Sequence, residues 1–241
     1  MEIRVLHWYY DIMNLYGEYG NVKILEKHLK DQGLKVVVDK KTVNEDINLN
    51  DYDFVYIGAG TEDNQMFIMQ DIMKYKEQLK EYIDSENVAL FTGNSYEILG
   101  KRINEKEALG IFDFETTVLK DRITSDVIYK SKYLKKKVVG FVNKMTNIVH
   151  NLNPLFEVKF GIGENENKDI EGIKYKNFYG THVSGPILVR NPEFLETVIR
   201  NIFLQKDKKL VYKKILYKNE KQGYELVLSE LENRMNEKNK N

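Results

Sequence analysis

Residues 88–100, VALFTGNSYEILG, have the layout of a nucleophile turn. A short apolar strand leads into a tight polar bend at Gly93, and the pattern predicts that a helix begins directly after the bend. A cysteine at such a turn attacks a carbonyl carbon, while a neighbouring histidine takes up and returns the proton. The chain, however, contains no cysteine. The stretch therefore predicts the architecture of a nucleophile turn without thiol chemistry.

One alternative keeps an enzyme at this turn. Ser95 lies two residues after Gly93, and His182 lies two residues before Ser184. Residues two apart share one face of an extended strand, so a relocated Ser95–His182 pair would make a serine hydrolase. The G-x-S-x-G pattern of that class needs a small residue where this chain has Glu97. We therefore favour Ser95 as an N-terminal helix residue or cap, and retain the hydrolase as the alternative.

A second bend adds a binding hypothesis. Residues 58–65, GAGTEDNQ, follow another apolar run. Glycine lets backbone N–H groups approach a ligand closely, and a helix N-terminus just beyond favours negative charge. Gly58, Ala59 and Gly60 are therefore predicted to form an anion-accepting turn, with Asn94 from the other bend beside it. An ordinary structural glycine turn is the alternative.

Alternating strands and helices must position these two bends. The pattern predicts strands over residues 3–9, 34–38, 52–60 and 88–92, and helices over residues 21–33 and 64–82. This order is typical of βαβ units. We predict an α/β fold, with a mostly parallel, doubly wound sheet and helices on both faces. Shorter strands between residues 111 and 181 predict a small antiparallel extension.

The last part of the chain is predicted to return to helix. Residues 191–205 favour a helix with Asn191 as its cap and Pro192 in its first turn. A later helix places five apolar residues on one face: Tyr224, Val227, Leu228, Leu231 and Met235. We predict a domain over residues 1–205 and a C-terminal extension over residues 206–241, whose helix packs on the domain or on a partner.

Composition narrows the class of protein. The 241 residues include 37 Lys and Arg and 37 Asp and Glu, and this balance argues against a nucleic-acid surface. The sequence lacks a membrane-length apolar run and the features of a signal peptide, so we expect a cytoplasmic protein. It also lacks a phosphate-binding ATP motif, and His7, His28 and His150 have no metal-like spacing. We therefore expect no cofactor and no metal.

Several motifs, in one order along the chain, resemble a known family. They are LHWYYDIMNLYGEYGNVKILEKHL, DFVYIGAGTEDNQ, VALFTGNSYEILG and GTHVSGPILVRNP, within residues 3–200. Together they resemble the glutaminase subunit of lipid II isoglutaminyl synthase and, more distantly, the cobyric acid synthase type of class I glutamine amidotransferase. The resemblance implies the class I glutamine amidotransferase fold.

The sequence departs from this family at both reacting positions. The family patterns are close to L-x-x-C-G-G-Y-Q-x-L-G and G-T-Y-L-H-G-P-L-L, with an IGGGQDREQ-like turn between the first strand and the nucleophile turn. Gly93 stands at the catalytic cysteine and Ser184 at the catalytic histidine, while Glu97 replaces a glutamine. Glycine has no side chain, and a serine hydroxyl is a poor base near neutrality. The resemblance therefore implies a glutamine amidotransferase homologue without its catalytic pair.

The resemblance also suggests what such a homologue binds. Arg122 stands where the family has the arginine of an R-L-x-G-N motif, which holds the α-carboxylate of glutamine. An ordinary surface arginine is the alternative. Glutaminase domains of this class deliver ammonia to a synthetase domain or subunit. We expect a non-catalytic protein that binds a partner or a glutamine-like ligand, the partner being a Mur-ligase-like synthetase subunit or a second copy of the chain.

Overall fold

The computed structural model describes residues 1–165 and 169–238 of the chain. Twelve strands of this part join into one sheet. They are β1 Glu2–Trp8, β2 Lys35–Lys41, β3 Phe54–Ile57, β4 Val88–Thr92, β5 Arg102–Ile103, β6 Lys106–Glu107, β7 Glu115–Lys130, β8 Val138–Val149, β9 Pro154–Phe160, β10 Ile170–Tyr175, β11 Phe178–Thr181 and β12 Val183–Ser184. The helices are α1 Tyr19–Asp31, α2 Glu62–Ile72, α3 Lys76–Asp84, α4 Ile187–Arg190, α5 Pro192–Lys206 and α6 Lys218–Lys238. None of these helices is long and apolar enough to cross a bilayer.

Five neighbouring strands are parallel, in the order β2-β1-β3-β4-β11. Every residue of β3 and β4 is buried. Strands of this kind read as continuous apolar runs because helices cover both faces of the sheet. Here α1 and α5 pack on one face, and α2 and α3 pack on the other. The predicted α/β fold is confirmed.

The other half of the sheet is antiparallel, in the order β11-β10-β9-β7-β8-β12. This part is longer than the short predicted segments suggest, since β7 alone has 16 residues. β7 also contains a bulge, in which residues 119–122 lie opposite a single residue of β8, Met145. A bulge bends its strand and redirects the side chains that it carries. This one carries Arg122 towards the end of the sheet where β3 and β4 finish.

Two details of the helices differ from the prediction. The region predicted as one helix over residues 64–82 contains α2 and α3, which are separated by a 3-10 turn at Met73–Tyr75. Asn191 precedes α5 but does not cap it with its side chain. Its amide instead pairs with the backbone of Val139, accepting from N at 2.9 Å and donating to O at 2.8 Å. The buried peptide groups of Val139 need these partners, and the amide is therefore used there.

The tail helix α6 packs on the domain. Tyr224 and Leu231 are buried against Ile128 and Val139 of the antiparallel strands. The Tyr224 hydroxyl also donates a hydrogen bond to Lys137 O at 2.8 Å. Residues of the domain therefore cover part of the predicted apolar face of α6. The boundary at residue 205 stays a prediction.

Leu231→Ala should lower the free energy of unfolding by about 2–4 kcal/mol, because it leaves a cavity beneath α6. Leu226 of the same helix is 74% exposed and provides the matched control. Leu226→Ala should change the stability by less than about 0.5 kcal/mol. Urea unfolding followed by circular dichroism measures both variants. Equal losses of stability would contradict the packing of α6 on the sheet.

Candidate functional site

The bend after β4 has the geometry of a nucleophile turn. Gly93 has a φ of +62°, a left-handed conformation that glycine adopts without strain. A Cβ added to Gly93 would lie 3.3 Å from Ser184 Oγ. The two positions that align with the cysteine and the histidine of the family patterns therefore face each other. Their proximity supports the register in which those patterns were aligned.

Ala59 fills the space in front of Gly93. The same added Cβ would overlap the methyl group of Ala59 and would lie 3.1 Å from the Ala59 Cα. Ala59 stands where the family turn has its second glycine. Its methyl group takes the room that a cysteine side chain at position 93 would need. Two departures from the family patterns are thus in direct contact.

A cleft of about 770 Å³ opens beside this bend. Its walls include Ala59, Gly60, Asn94, Arg122 and Ser184. Four of the five predicted ligand-binding residues therefore line one space, whose volume is that of a small-molecule site. The fifth, Gly58, packs behind the wall, where an added Cβ would overlap Met13 O.

In the predicted anion-accepting turn, the backbone N–H of Gly60 is already bonded to a side chain of the protein. The Gly60 N–H donates to Asn94 Oδ1 at 3.0 Å, and the Asn94 amide donates to Thr61 O at 3.3 Å. Asn94 replaces the first of the two glycines that follow the cysteine in the family pattern. Its side-chain carbonyl occupies the place that a ligand oxygen would take at the Gly60 N–H. A ligand must therefore displace the amide to reach this donor.

Arg122 lies on the cleft wall and is paired with protein groups. Its guanidinium contacts Glu62 at 2.5 Å and donates to Asn143 Oδ1 at 3.0 Å. The side chains of Arg122 and Glu62 are both exposed, so water screens this ion pair. The β7 bulge thus presents a fork suited to a carboxylate, and the Glu62 carboxylate occupies it. A role for Arg122 in ligand binding stays a prediction.

Ser95 is turned away from the cleft. Its hydroxyl donates to Ile57 O at 3.1 Å and to Thr92 O at 2.8 Å. The segment is a short 3-10 helix over Gly93–Leu99 with Thr92 at its N-cap position, so Ser95 lies inside the helix and is not its cap. His182 makes its close contacts with carboxylates. Among the described residues, Ser95 and His182 form no hydrogen bond with each other.

Three buried carboxylates surround His182. Its Nε2 lies 2.9 Å from Glu97 Oε1, and its Nδ1 lies 3.4 Å from Glu164 Oε2 and 3.7 Å from Glu171 Oε1. The four side chains are almost completely inaccessible to solvent. Lys144 is also buried, and its Nζ donates to Gly163 O and Glu164 O at 2.7 and 2.6 Å. Sequence reasoning did not find this cluster.

The cluster perturbs the pKa values of its members. Burial alone would lower the pKa of His182, but Glu164 and Glu97 outweigh it and raise that pKa to about 9. Burial opposes the ionisation of Glu164, yet His182 holds its pKa at about 2. Burial and the charge of Glu164 raise the pKa of Glu171 to about 7. Burial lowers the pKa of Lys144.

One signal in the sequence pointed to this cluster. Glu97 stands at a glutamine of the family pattern, and His182 stands at its tyrosine. The structure shows that these two departures are bonded to each other at 2.9 Å. Thr146, which lines the cleft, donates to the same Glu97 oxygen at 2.6 Å. Glu97 and Thr146 therefore lie between the open cleft and the buried histidine.

A fourth buried carboxylate, Glu18, connects the segments that form the site. It accepts hydrogen bonds from the hydroxyl of Tyr56 on β3 and from Thr92 Oγ1 at the end of β4, the latter at 2.5 Å. It also accepts from the Gly185 N–H at 2.6 Å and from the Asn21 amide at 3.2 Å. These donors belong to four separate segments of the chain. Glu18 thus fixes the bend after β4 relative to the turn that follows Ser184.

A comparison with protein families matches this architecture. The model of the CobB/CobQ-like glutamine amidotransferase domain matches residues 4–192. The chain belongs to this family. The C-terminal extension, including α6, lies beyond the matched residues.

Two relatives of this chain have a named activity. The chain is 34% identical, over 203 residues, to the GatD subunit of the glutamine-hydrolysing lipid II isoglutaminyl synthase from Staphylococcus aureus strain N315. That match covers 82% of this chain and 83% of the relative. The corresponding GatD subunit from Streptococcus pneumoniae strain R6 is 30% identical over 200 residues, covering 79% of this chain and 76% of the relative. The resemblance to the isoglutaminyl synthase glutaminase subunit is confirmed.

Solved structures of glutamine amidotransferases share the fold. A chain in the structure of PurLQS from Thermotoga maritima superposes with a TM-score of 0.59 at 12% identity, covering 86% of this chain and all of that one. A glutamine amidotransferase from the same organism superposes with a TM-score of 0.53 at 13% identity, covering 97% of each chain. At these identities the likeness concerns the fold alone.

Glu18→Gln should lower the free energy of unfolding by at least about 2 kcal/mol, because an amide nitrogen would face hydroxyl and N–H donors in a buried site. Glu26→Gln is the matched control, because Glu26 lies in α1, the helix that begins directly after Glu18. Glu26 pairs with Lys30 at the surface, and its loss should change the stability by less than about 1 kcal/mol. Urea unfolding measures both. If Glu18→Gln were as stable as the control, the hydrogen bonds of Glu18 would not hold these segments in place.

Proposed function

We propose that the chain is a non-catalytic member of the glutamine amidotransferase family that acts by binding a partner protein or a small ligand. The observation that carries this proposal is the methyl group of Ala59, which lies where the side chain of a nucleophile at position 93 would have to be. Gly93 has no side chain, and the hydroxyl of Ser184, which stands opposite, donates to the backbone oxygen of His182 at 3.1 Å and not to a general base that would activate it.

Two further contacts support the loss of glutaminase chemistry. Hydrolysis of an amide needs backbone donors that hold the developing oxyanion. The Gly60 N–H in the cleft already donates to Asn94. The Arg122 guanidinium, which would hold the substrate carboxylate, is paired with Glu62. Groups of the chain itself thus take the space of a thiol, bond to one donor for an oxyanion, and pair with the arginine that would hold a substrate carboxylate.

The names of the relatives indicate the pathway that we propose. Both GatD relatives are subunits of a lipid II isoglutaminyl synthase. We propose that this chain acts in the cytoplasm, in the same peptidoglycan pathway or in a related cobyric acid-type amidation. Its proposed partner is a Mur-ligase-like synthetase subunit, and a homodimer is the second possibility. A glutamine-like ligand would enter the cleft at Arg122 and displace Glu62, because an exposed ion pair contributes only about 0–1 kcal/mol.

The proposal predicts which substitutions would give this site glutaminase activity. Gly93→Cys with Ser184→His leaves the Ala59 methyl and the Asn94 amide in place, so this double variant should release ammonia from glutamine no faster than a buffer blank. Adding Ala59→Gly and Asn94→Gly removes both obstructions. The four-substitution variant should then hydrolyse glutamine measurably and should be alkylated by iodoacetamide at the new thiol. A coupled assay for glutamate and mass spectrometry of the labelled peptide provide the two readouts.

Controls separate this proposal from the hydrolase alternative. The unmodified chain should match the buffer blank, and Ser95→Ala should not change that result. Ammonia release by the unmodified chain that is lost in Ser95→Ala would establish the Ser95–His182 hydrolase.

Gly93→Cys alone should lower the free energy of unfolding by about 1–3 kcal/mol, because the new side chain meets Ala59 and residue 93 has a positive φ. A Gly93→Cys variant that keeps its full stability and whose thiol is unreactive would show that the alignment at this turn is incorrect.

The partner proposal has its own test. The tagged chain, purified from its native host, should retain a Mur-ligase-like protein through gel filtration. A stable interface should bury more than about 1,000 Å² and survive dilution to micromolar concentrations. If the chain is recovered alone and light scattering gives the mass of a monomer, both the heteromeric and the homodimeric proposals fail.

A further inference from the structure

The buried cluster beneath the cleft presents three metal-ligating atoms to one point. His182, Glu164 and Glu171 each offer one ligand atom, and these three atoms lie within 4.8 Å of one another. The oxygens near Nδ1 of His182 are Oε2 of Glu164 and Oε1 of Glu171. The nitrogen is 3.4 Å from the Glu164 oxygen and 3.7 Å from the Glu171 oxygen. Ligands of a tetrahedral zinc ion, bound at about 2.0–2.2 Å, lie roughly 3.4 Å apart. The two nitrogen–oxygen separations are close to that value.

The second nitrogen of His182 is held in the way that metal-binding histidines require. Its Nε2 lies 2.9 Å from Glu97 Oε1, which acts as the acceptor of the ring N–H. An ion bound at Nδ1, the atom that faces Glu164 and Glu171, would replace the proton of the charged ring there, while the proton on Nε2 stays with Glu97. A carboxylate behind the histidine also raises the basicity of the ligating nitrogen. Glu97 itself is oriented by Thr146 and by Gln65.

In Glu164 and Glu171, the carboxylate oxygen that points away from His182 Nδ1 (the outer oxygen) accepts hydrogen bonds. Of the two oxygens near Nδ1 (the inner oxygens), that of Glu164 does not. Glu164 Oε1 accepts hydrogen bonds from the Tyr96 hydroxyl and from the Gly172 N–H. Glu171 Oε2 accepts from Thr181 Oγ1 at 2.7 Å. Glu164 Oε2, in contrast, accepts no hydrogen bond from the described residues although it is completely buried. Buried acceptors are rarely left in this state, and one that faces a histidine nitrogen and a second carboxylate points to a cation.

The ammonium group of the buried Lys144 bonds to backbone carbonyls and not to Glu164 Oε2. Lys144 Nζ donates to the backbone carbonyls of Gly163 and Glu164, and so it positions the loop that carries the Glu164 side chain. Glu171 Oε1 accepts the backbone N–H of His182 at 2.7 Å, and His182 Nδ1 lies 3.4 Å from Glu164 Oε2 and 3.7 Å from Glu171 Oε1. The singly charged ring can balance one of these buried carboxylates, whereas a divalent ion at Nδ1 would balance both.

We propose that Glu164, Glu171 and His182 form a binding site for a divalent transition metal, with Zn²⁺ as the ion that fits best. One imidazole nitrogen and two carboxylate oxygens are a donor set for Zn²⁺, whereas Ca²⁺ needs six to eight oxygen ligands. Three protein ligands leave a fourth position for water. Glu164 lies in a loop, Glu171 at the start of β10 and His182 between β11 and β12, so their spacing along the chain did not suggest a metal. The ion would join β10 and the link between β11 and β12 to the loop that carries Glu164.

The test is metal loading of the full chain. The protein is stripped with a chelator, loaded with Zn²⁺ both in the native state and during refolding from urea, and desalted. Mass spectrometric metal analysis should then find about one Zn²⁺ per chain in at least the refolded sample. Loading with Co²⁺ should produce the visible absorption bands of a tetrahedral N/O site. Both signals should fall at least about tenfold in His182→Gln and in Glu164→Gln.

His28→Gln is the matched control, because His28 is also a buried histidine that contacts a glutamate, Glu220, at 2.9 Å. It should bind Zn²⁺ as the unmodified chain does. Glu97→Gln leaves the three ligands in place and should weaken Zn²⁺ binding by about 10–100-fold in a competition titration, which gives a readout if the ligand variants fail to fold. The proposal is overturned if the unmodified chain retains no Zn²⁺ after refolding. It is equally overturned if binding is unchanged in Glu97→Gln or in a folded ligand variant, since the ion would then be held elsewhere.

Discussion

The carboxylate of Glu18 is the constraint on which the geometry of the site depends. A buried carboxylate is tolerated only where donors surround it, and here four donors come from α1, β3, the end of β4 and the turn after β12. Satisfying this one group fixes the distance between segments that are far apart in the sequence. The consequence is that Gly93 and Ser184 still face each other, although neither carries a reactive group.

The departures from the family patterns occur as contacting sets, and this distinguishes a rebuilt site from a decayed one. Ala59 fills the space vacated at Gly93, and Asn94 bonds to the donor of the neighbouring turn. Glu97 and His182 form an ion pair. Each change alone would create a cavity, an unpaired donor or an unpaired buried charge, any of which lowers stability. Together they give a packed and hydrogen-bonded site around Gly93 and Ser184.

Much of the fold was predictable because it follows from local patterns. The strand over Val88–Thr92 is a short apolar run between polar turns, and the structure reproduces its predicted bounds. Only shorter strands were predicted between residues 111 and 181, because the bulge at residues 119–122 interrupts the periodicity of the long β7. Asn191 was predicted as a cap because the sequence shows the residue type and not the buried backbone of Val139 that competes for it.

The site was predictable only in part, for a different reason. Residues next to the two glycine bends lie together because parallel strands end at one edge of the sheet, and that rule needs no distances. The His182 cluster obeys no such rule. Glu97 and His182 are 85 positions apart, and they meet only because β4 pairs with β11 and β12 pairs with β8. Pairing across an antiparallel crossover is set by the whole sheet, so the spacing of the residues gives no sign of it.

The proposal of binding in place of catalysis rests on two parts of the site, the buried His182 cluster and the open cleft above it. Both ring nitrogens of His182 face carboxylates, and Glu97 and Thr146 separate the ring from the cleft. A base must reach the nucleophile directly or through one water, and this imidazole does neither. Above that layer, the cleft offers the Arg122 fork, held by an exposed pair with Glu62 that an incoming carboxylate can replace at small cost. The Gly60 donor is harder to reach, because displacing Asn94 leaves its amide to find new partners. In the proposed binding role, a ligand would therefore be recognised first at its carboxylate.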